Sequence, residues 1–264
     1  MAFLAVPGPF DFALSTERFR VFGVDLATVW HEGGLHRVVG GREVRIEAAE
    51  GGVDVEPFEP GVAHLLGAPF DLAPFYRWAR GDEVLRHVVV RLRGFRPPLM
   101  PEPFEMLVGS ITAQQVSLFS ATAIRNRLIE RFGTRHEVAW AFPTRERLAR
   151  AREGELTALG FSRRKEEYVL ALARSELDLE TLRELPDDEV RARIVSQRGL
   201  GEWTAEWFLA RHLARPNAWP WGDLALRKAV ADLYRGLDVK EARERFHPFE
   251  NLSAHYLLLA QRVP

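Results

Sequence analysis

The 264-residue sequence predicts an α+β N-terminal domain, an antiparallel sheet with helices, followed by an all-α domain. Three observations carry this. Two glycine pairs, Gly40-Gly41 and Gly51-Gly52, separate short β-rich runs near the start. From Phe104 onward helical periodicity recurs with almost no strand signal. Between them lies Arg96-Pro97-Pro98-Leu99-Met100-Pro101-Glu102-Pro103, which cannot sit inside a helix or a strand because proline lacks the amide donor. The expected division is therefore residues 1–93 and residues 94–264.

The first part offers strands at Leu35–Val39, Glu43–Ala48 and Val53–Pro57, joined by the glycine pairs. Helical patterns follow at Gly61–Leu66, Leu72–Ala79 and Asp82–Leu92. The second part offers helices at Phe104–Gln114, Ser117–Phe132, Thr144–Arg152, Glu153–Leu159 and Arg163–Ala173, then Asp188–Gln197, Trp203–Leu213, Leu224–Tyr234 and Asn251–Arg262. Thr144 and Ser162 are suited to capping the helices that follow them.

Composition narrows the function classes. Hydrophobic residues make up 47% and charged residues 28%, ordinary values for a globular protein. No apolar run approaches the roughly 18 residues of a membrane span. Met1–Pro7 carries no basic leader, so a cytoplasmic, nucleoid-associated protein is expected. The absence of cysteine excludes disulfides, thiolate zinc sites, a cysteine nucleophile and a cysteine-bound iron–sulfur cluster. The histidines show no metal-ligand spacing with carboxylates and read as surface or core. Of 36 basic residues only Lys165, Lys228 and Lys240 are lysine, and the net charge is −1. Any contact with nucleic acid must use a local patch and backbone dipoles. Residues 1–93 carry 10 basic and 13 acidic side chains against 26 and 24 in the rest, which points to the second part as the more basic face.

The densest chemistry lies between Gln197 and Asp223. Gly199-Leu200-Gly201 sits between two helical stretches, where the glycines permit close backbone approach. The unpaired amides at the start of the following helix form an anion site at the positive end of its dipole. An ordinary tight helix–helix turn would use the same residues. Trp203 and Trp207 lie at i and i+4 on one helix face, as core filler or as an aromatic wall. Asp223 stands just before Leu224–Tyr234, where aspartate is a favoured N-cap, and a cap can also carry chemistry.

Arg198-Gly199-Leu200-Gly201-Glu202-Trp203-Thr204-Ala205, with Asp223-Leu224-Ala225-Leu226-Arg227 further on, resembles the helix-hairpin-helix DNA glycosylase superfamily. The likeness runs from about Pro103 to the C-terminus and includes Ile111–Ser117 and Leu159–Lys165. Arg198 stands where the family usually has proline. Bifunctional members place a lysine nucleophile where this chain has Trp203, and other branches carry an iron–sulfur cluster. With the α+β unit in front, the chain looks like the 3-methyladenine DNA glycosylase II branch.

The resemblance implies a monomer that binds double-stranded DNA containing damaged bases, does not associate with membranes, and releases an alkylated purine by hydrolysis without strand cleavage. It places Asp223 as the catalytic carboxylate. Trp203 and Trp207 would wall the base pocket, with Leu258 or Tyr256 where a relative has tryptophan, and Phe19 added from the N-terminal unit. Phe10 and Phe12 read as core. The DNA contacts implied are Gly199, Leu200, Gly201, Arg198, Glu202, Thr204 and Gln115. Gln115 would fill the gap left by the flipped nucleotide, and Gln114 would be structural. Arg191, Arg193 and Arg227 read as solvated charges that could also meet phosphates. No cofactor is required; a structural Na or K ion would be held by the carbonyls of Val195, Gln197 and Leu200. Two other readings stay open: a glycosylase for hypoxanthine, uracil or an oxidised purine, and a non-catalytic helix-hairpin-helix DNA-binding protein.

Overall fold

The computed structural model describes residues 1–263. A five-stranded antiparallel sheet comes first, from β1 (Ala2–Ala5), β2 (Thr28–His31), β3 (Gly34–Val39), β4 (Arg42–Ala49) and β5 (Gly52–Glu56), in the order β1-β5-β4-β3-β2. Gly40 and Gly41 both have positive φ, +58° and +77°, which is what a two-residue hairpin turn requires. The turn sets Val39 opposite Arg42 and Leu35 opposite Ile46. Short helices α1 (Phe12–Ser15) and α2 (Arg18–Val21) lie between β1 and β2, and α3 (Gly61–Leu65) follows the sheet. Leu35, Val44, Ile46, Val53 and Val55 form a fully buried core with Val62, Leu65 and Leu66. β1 and β2 carried no sequence signal strong enough to be expected; pairing at the sheet edges defines them.

The remaining helices are α4 (Leu72–Ala79), α5 (Leu85–Arg91), α6 (Pro103–Ala113), α7 (Leu118–Phe132), α8 (Arg145–Ala149) and α9 (Arg163–Arg174). After them come α10 (Asp187–Val195), α11 (Glu202–Arg211), α12 (Leu224–Leu233), α13 (Ala242–Phe246) and α14 (Glu250–Ala260). A two-stranded ribbon, β6 (Thr134–Arg135) with β7 (Trp140–Ala141), interrupts them. The helix expected over Glu153–Leu159 is a single 3-10 turn at Thr157–Leu159. Gly154 and Gly160, at φ +89° and +99°, bracket it, and the Glu166 carboxylate takes the N–H groups of Gly154 and Leu156.

The expected boundary at residue 93 does not separate the two cores. α4 and α5 bury Phe75, Leu85, Val88 and Val89 in the helical core, where Phe75 packs on Tyr256 of α14 with ring centres 4.9 Å apart. Their apolar faces need a partner, and α14 supplies it. The proline-rich stretch is no free linker either. Arg96 is buried and donates to Pro7 O at 2.8 Å, beside the sheet, and to Phe70 O at 2.5 Å, whose ring packs in the helical core, stitching the stretch to both cores. A second stitch is ionic. Arg37 of β3 donates to Glu105 of α6 at 2.7 Å, and Arg125 of α7 pairs with the same carboxylate. Burial opposes the Glu105 charge, but the two arginines outweigh it and hold the carboxyl below its ordinary range.

Candidate active site

α10 enters α11 through residues 196–201. Gly199 has φ +84°, and a Cβ there would lie 2.1 Å from the Tyr168 ring, so both conformation and space demand glycine. Leu200 is buried and donates its N–H to Gln197 O at 3.1 Å, closing the turn. Gln114, at the end of α6, donates from Nε2 to Gly199 O at 2.9 Å and fixes the loop from outside. Gly201 is the N-cap of α11 and no side chain caps the helix. The N–H groups of Gly201, Glu202 and Trp203 have no hydrogen-bond partner among the described residues, so the positive end of the helix is open to an anion. Gly201 and Glu202 are exposed there, whereas Thr204 is buried and its N–H already donates to Gly201 O.

The loop from Trp219 to Gly222 is anchored from two sides. Buried Glu206 of α11 accepts the Trp219 N–H at 2.7 Å, and Trp219 Nε1 donates to Val239 O at 2.7 Å. This places Asp223 at the N-terminus of α12. Its Oδ1 accepts the Leu226 N–H at 3.0 Å, the expected cap. Its Oδ2 accepts the indole N–H groups of Trp207 at 3.1 Å and Trp203 at 3.4 Å. The capping bond and the indoles hold the carboxylate while leaving it half-buried at the edge of a pocket.

That pocket lies between the N-terminal unit and the helical part. Trp203, Trp207, Asp223, Leu258 and Phe19 all line it. Its volume of about 240 Å³ is below the ~300–1,000 Å³ usual for drug-sized ligands and suits a single base. Tyr256 corrects an expectation. It is fully buried, its hydroxyl bonded to Tyr76 at 2.7 Å and to Phe95 O at 2.7 Å, and it does not line the pocket. On α14 the positions that reach the pocket are Leu258 and His255, with Arg262 just beyond. Phe10 and Phe12 pack on the sheet core.

Among the pocket residues that sequence reasoning missed are Arg18, Arg211, His255 and Arg262. Arg211 could have been found, because it continues the four-residue spacing of Trp203 and Trp207. Burial and the neighbouring Arg211 push the His255 imidazole well below its ordinary range, so it is neutral. Burial and Arg262 bring Arg18 down to about 10.

Gln115 is exposed, with φ +56°, in the turn between α6 and α7. Arg198 is exposed and pairs with Glu167 at 2.9 Å. Arg191 is tied to Glu206 at 2.6 Å and Arg193 to Glu189 at 2.6 Å, while Arg227 is exposed. The carbonyls of Val195 and Leu200 accept no backbone hydrogen bond among the described residues; that of Gln197 accepts one. No lysine lines the pocket: Lys165 Nζ is held by Thr112 O at 2.9 Å. No cluster of three His, Asp or Glu side chains suited to a metal occurs among the described residues.

Residues 108–253, which hold the hairpin and Asp223, match the model of the HhH-GPD superfamily base excision DNA repair protein. The chain belongs to this superfamily. A DNA-3-methyladenine glycosylase of Bacillus subtilis is 31% identical over 182 residues, which is 66% of this chain and 60% of that protein. The chain thus spans about three fifths of the length of this curated relative. A solved 3-methyladenine DNA-glycosylase from Archaeoglobus fulgidus superposes with TM-score 0.89 at 31% identity, covering 99% of this chain and 98% of the other. An 8-oxoguanine glycosylase/lyase of Clostridium acetobutylicum, solved with double-stranded DNA, superposes with TM-score 0.80 at 19% identity over 96% of this chain and 92% of the other, a likeness of fold alone. Both full-length superpositions include the sheet as well as the helices. The α+β unit is therefore part of the fold shared with both neighbours.

Proposed function

We propose that this protein is a monofunctional DNA glycosylase that hydrolyses the N-glycosidic bond of alkylated purines such as 3-methyladenine in double-stranded DNA, leaving an abasic site. One observation carries the reading: Asp223 is fixed by a backbone amide and two indole N–H groups at the edge of a base-sized pocket. The similarity to proteins named 3-methyladenine glycosylases supports the lesion class.

The open amides of Gly201, Glu202 and Trp203 take a backbone phosphate. Exposed Gln115 enters the stack vacated by the extruded nucleotide. The base enters the pocket beside Trp203 and Trp207, whose electron-rich faces suit a cationic ring. Alkylation at N3 or N7 leaves the base positively charged, so the bond electrons depart with it and it leaves neutral without a general acid. Positive charge then develops on the sugar. The Asp223 carboxylate stabilises it electrostatically, and water adds to the anomeric carbon and gives up its extra proton to solvent. With Trp203 at the position of the lyase nucleophile and no lysine on the pocket wall, no Schiff base forms and the strand stays intact. The free carbonyls of Val195 and Leu200 fit a monovalent cation at the hairpin, where it would add positive charge toward the phosphate.

The test is base release from alkylated duplex DNA by the wild-type chain and by Asp223→Asn. The wild type is expected to produce abasic sites that break only on alkali or heat. The variant is expected to bind the same DNA and lose most release. Near wild-type excision by Asp223→Asn, or strand breaks without alkali, would overturn the reading.

A further inference from the structure

His255 and Leu258 stand three residues apart on α14, and both line the pocket. Two aromatic rings wedge His255 in place. Phe70 meets it edge-on with ring centres 6.4 Å apart, and Trp207 does so at 5.7 Å. Arg211 in turn lies over Trp207, its guanidinium carbon 3.6 Å from the ring centre. The imidazole is 5% exposed, and it is neutral because burial, Arg211, Arg18 and Arg262 oppose a second proton. A neutral imidazole holds one N–H donor and one lone-pair acceptor, and buried polar groups are ordinarily bonded. Buried His36 is held by Glu43, and buried His212 by Met100 O. His255 has no such anchor among the described residues. Its Nε2 is shut off from solvent without a partner, and its Nδ1 makes no hydrogen bond. An imidazole with both nitrogens free, held rigidly at the wall of a base-sized pocket, is placed to meet a base.

We propose that His255 reads the extruded base: one ring nitrogen hydrogen-bonds the C6 substituent of an alkylated purine, and its free choice of tautomer serves an amino group or a carbonyl oxygen alike. The proposal rests on the glycosylase reading above and extends it to the polar edge of the base. In a histidine with one nitrogen bonded, that bond fixes which nitrogen carries the proton. No such bond exists here, so neither tautomer is locked. With its lone pair toward the base, the imidazole accepts from the amino group of 3-methyladenine. With its N–H toward the base, it donates to the carbonyl oxygen of 7-methylguanine. A neutral ring also adds no charge that would repel a cationic purine. Extrusion strips the base of its pairing partner, and this contact returns one hydrogen bond inside the pocket. The extruded state is thereby favoured over the stacked one.

Single-turnover release of 3-methyladenine and 7-methylguanine from alkylated duplex DNA, at saturating enzyme, tests this beside binding to a duplex with an abasic-site analogue. His255→Phe keeps a flat ring between Phe70 and Trp207 and removes both nitrogens. His255→Leu serves the same purpose should the first variant fold poorly. Release of both bases is expected to fall roughly tenfold in these variants. Binding to the abasic duplex, which has no base to read, is expected to stay within about twofold of wild type. The melting temperature should match or exceed that of the wild type, because an unpaired buried nitrogen is gone. His255→Gln offers a donor and an acceptor again and is expected to bring release of both bases to within about threefold of wild type. Undiminished release by the apolar variants, a loss confined to one of the two bases, or a matching loss of abasic-site binding and stability overturns the role of His255 and leaves the glycosylase reading standing. So does release by His255→Gln no better than by His255→Phe. Release of neither base by the wild-type chain removes the glycosylase reading and this proposal with it.

Discussion

At the scale of the residue, Asp223 does two jobs with its two oxygens. Oδ1 caps α12, and Oδ2 takes two indole N–H groups. The cap was legible in the sequence as an aspartate before a helical run. The indole contacts were not, because Trp203 and Trp207 are separated from Asp223 by 20 and 16 positions and meet it only in three dimensions. Trp207→Phe tests them: it keeps an aromatic face and removes the shorter hydrogen bond. Hydrogen bonds to charged groups are worth about 1.5–3 kcal/mol, so a drop in single-turnover base release of roughly 10- to 100-fold is expected. DNA binding should change little. Equal rates for wild type and Trp207→Phe would show that the indole does not hold the carboxylate.

At the scale of the element, the hairpin separates its two glycines by function. Gly199 is pressed against the Tyr168 ring in a left-handed conformation, while Gly201 has extended backbone and open space where a Cβ would go. Gly199→Ala is therefore expected to destabilise the protein by at least ~2 kcal/mol in denaturant melts, as overpacking with backbone strain does. Gly201→Ala should leave the melting temperature close to wild type, because its dihedrals suit alanine. Its added methyl stands where a phosphate would approach, so weaker DNA binding is expected in a fluorescence anisotropy titration. Similar melting curves for the two variants would refute this division. The Gly-x-Gly spacing announced a turn, but only the packing of α9 on the loop says which glycine is obligatory.

At the scale of the whole molecule, a buried charge cluster and a histidine pair, His212 buried and His64 half-buried, couple the units. Glu105→Ala would leave Arg37 and Arg125 without their shared partner. Breaking such a pair typically costs about 3–5 kcal/mol, and a matching loss in denaturant melts is expected. His212 sits 2% exposed with Nδ1 2.7 Å from Met100 O, and its ring is 6.0 Å from that of His64. Burial drives its pKa from 6.5 down to about 4. Between those values the unfolded chain binds the proton and the folded chain does not. Stability from this group is thus complete above about pH 6.5 and declines progressively as pH falls to about 4. The loss is on the order of 3 kcal/mol. Thermal melts of wild type and His212→Asn across that window check it: the variant's curve should be flatter, and parallel curves would contradict the assignment.

The fold class, the principal helices, the two glycine turns and the cap at Asp223 follow from the sequence by itself. Each is a local matter, set by hydrophobic periodicity, by glycine's access to positive φ and by a side chain that satisfies an amide three residues on. Where the cores divide, which face of α14 reaches the pocket, and what surrounds the carboxylate were decided only by tertiary structure. Tyr256 and Leu258 stand two positions apart on one helix, yet one is locked in the core against Phe75 while the other lines the pocket. Arg211 continues the four-residue spacing of Trp203 and Trp207, but spacing alone does not place it on an indole ring. Its meaning comes from lying on Trp207 with no counter-charge, and that depends on which helices pack around α11 and on the distances they enforce.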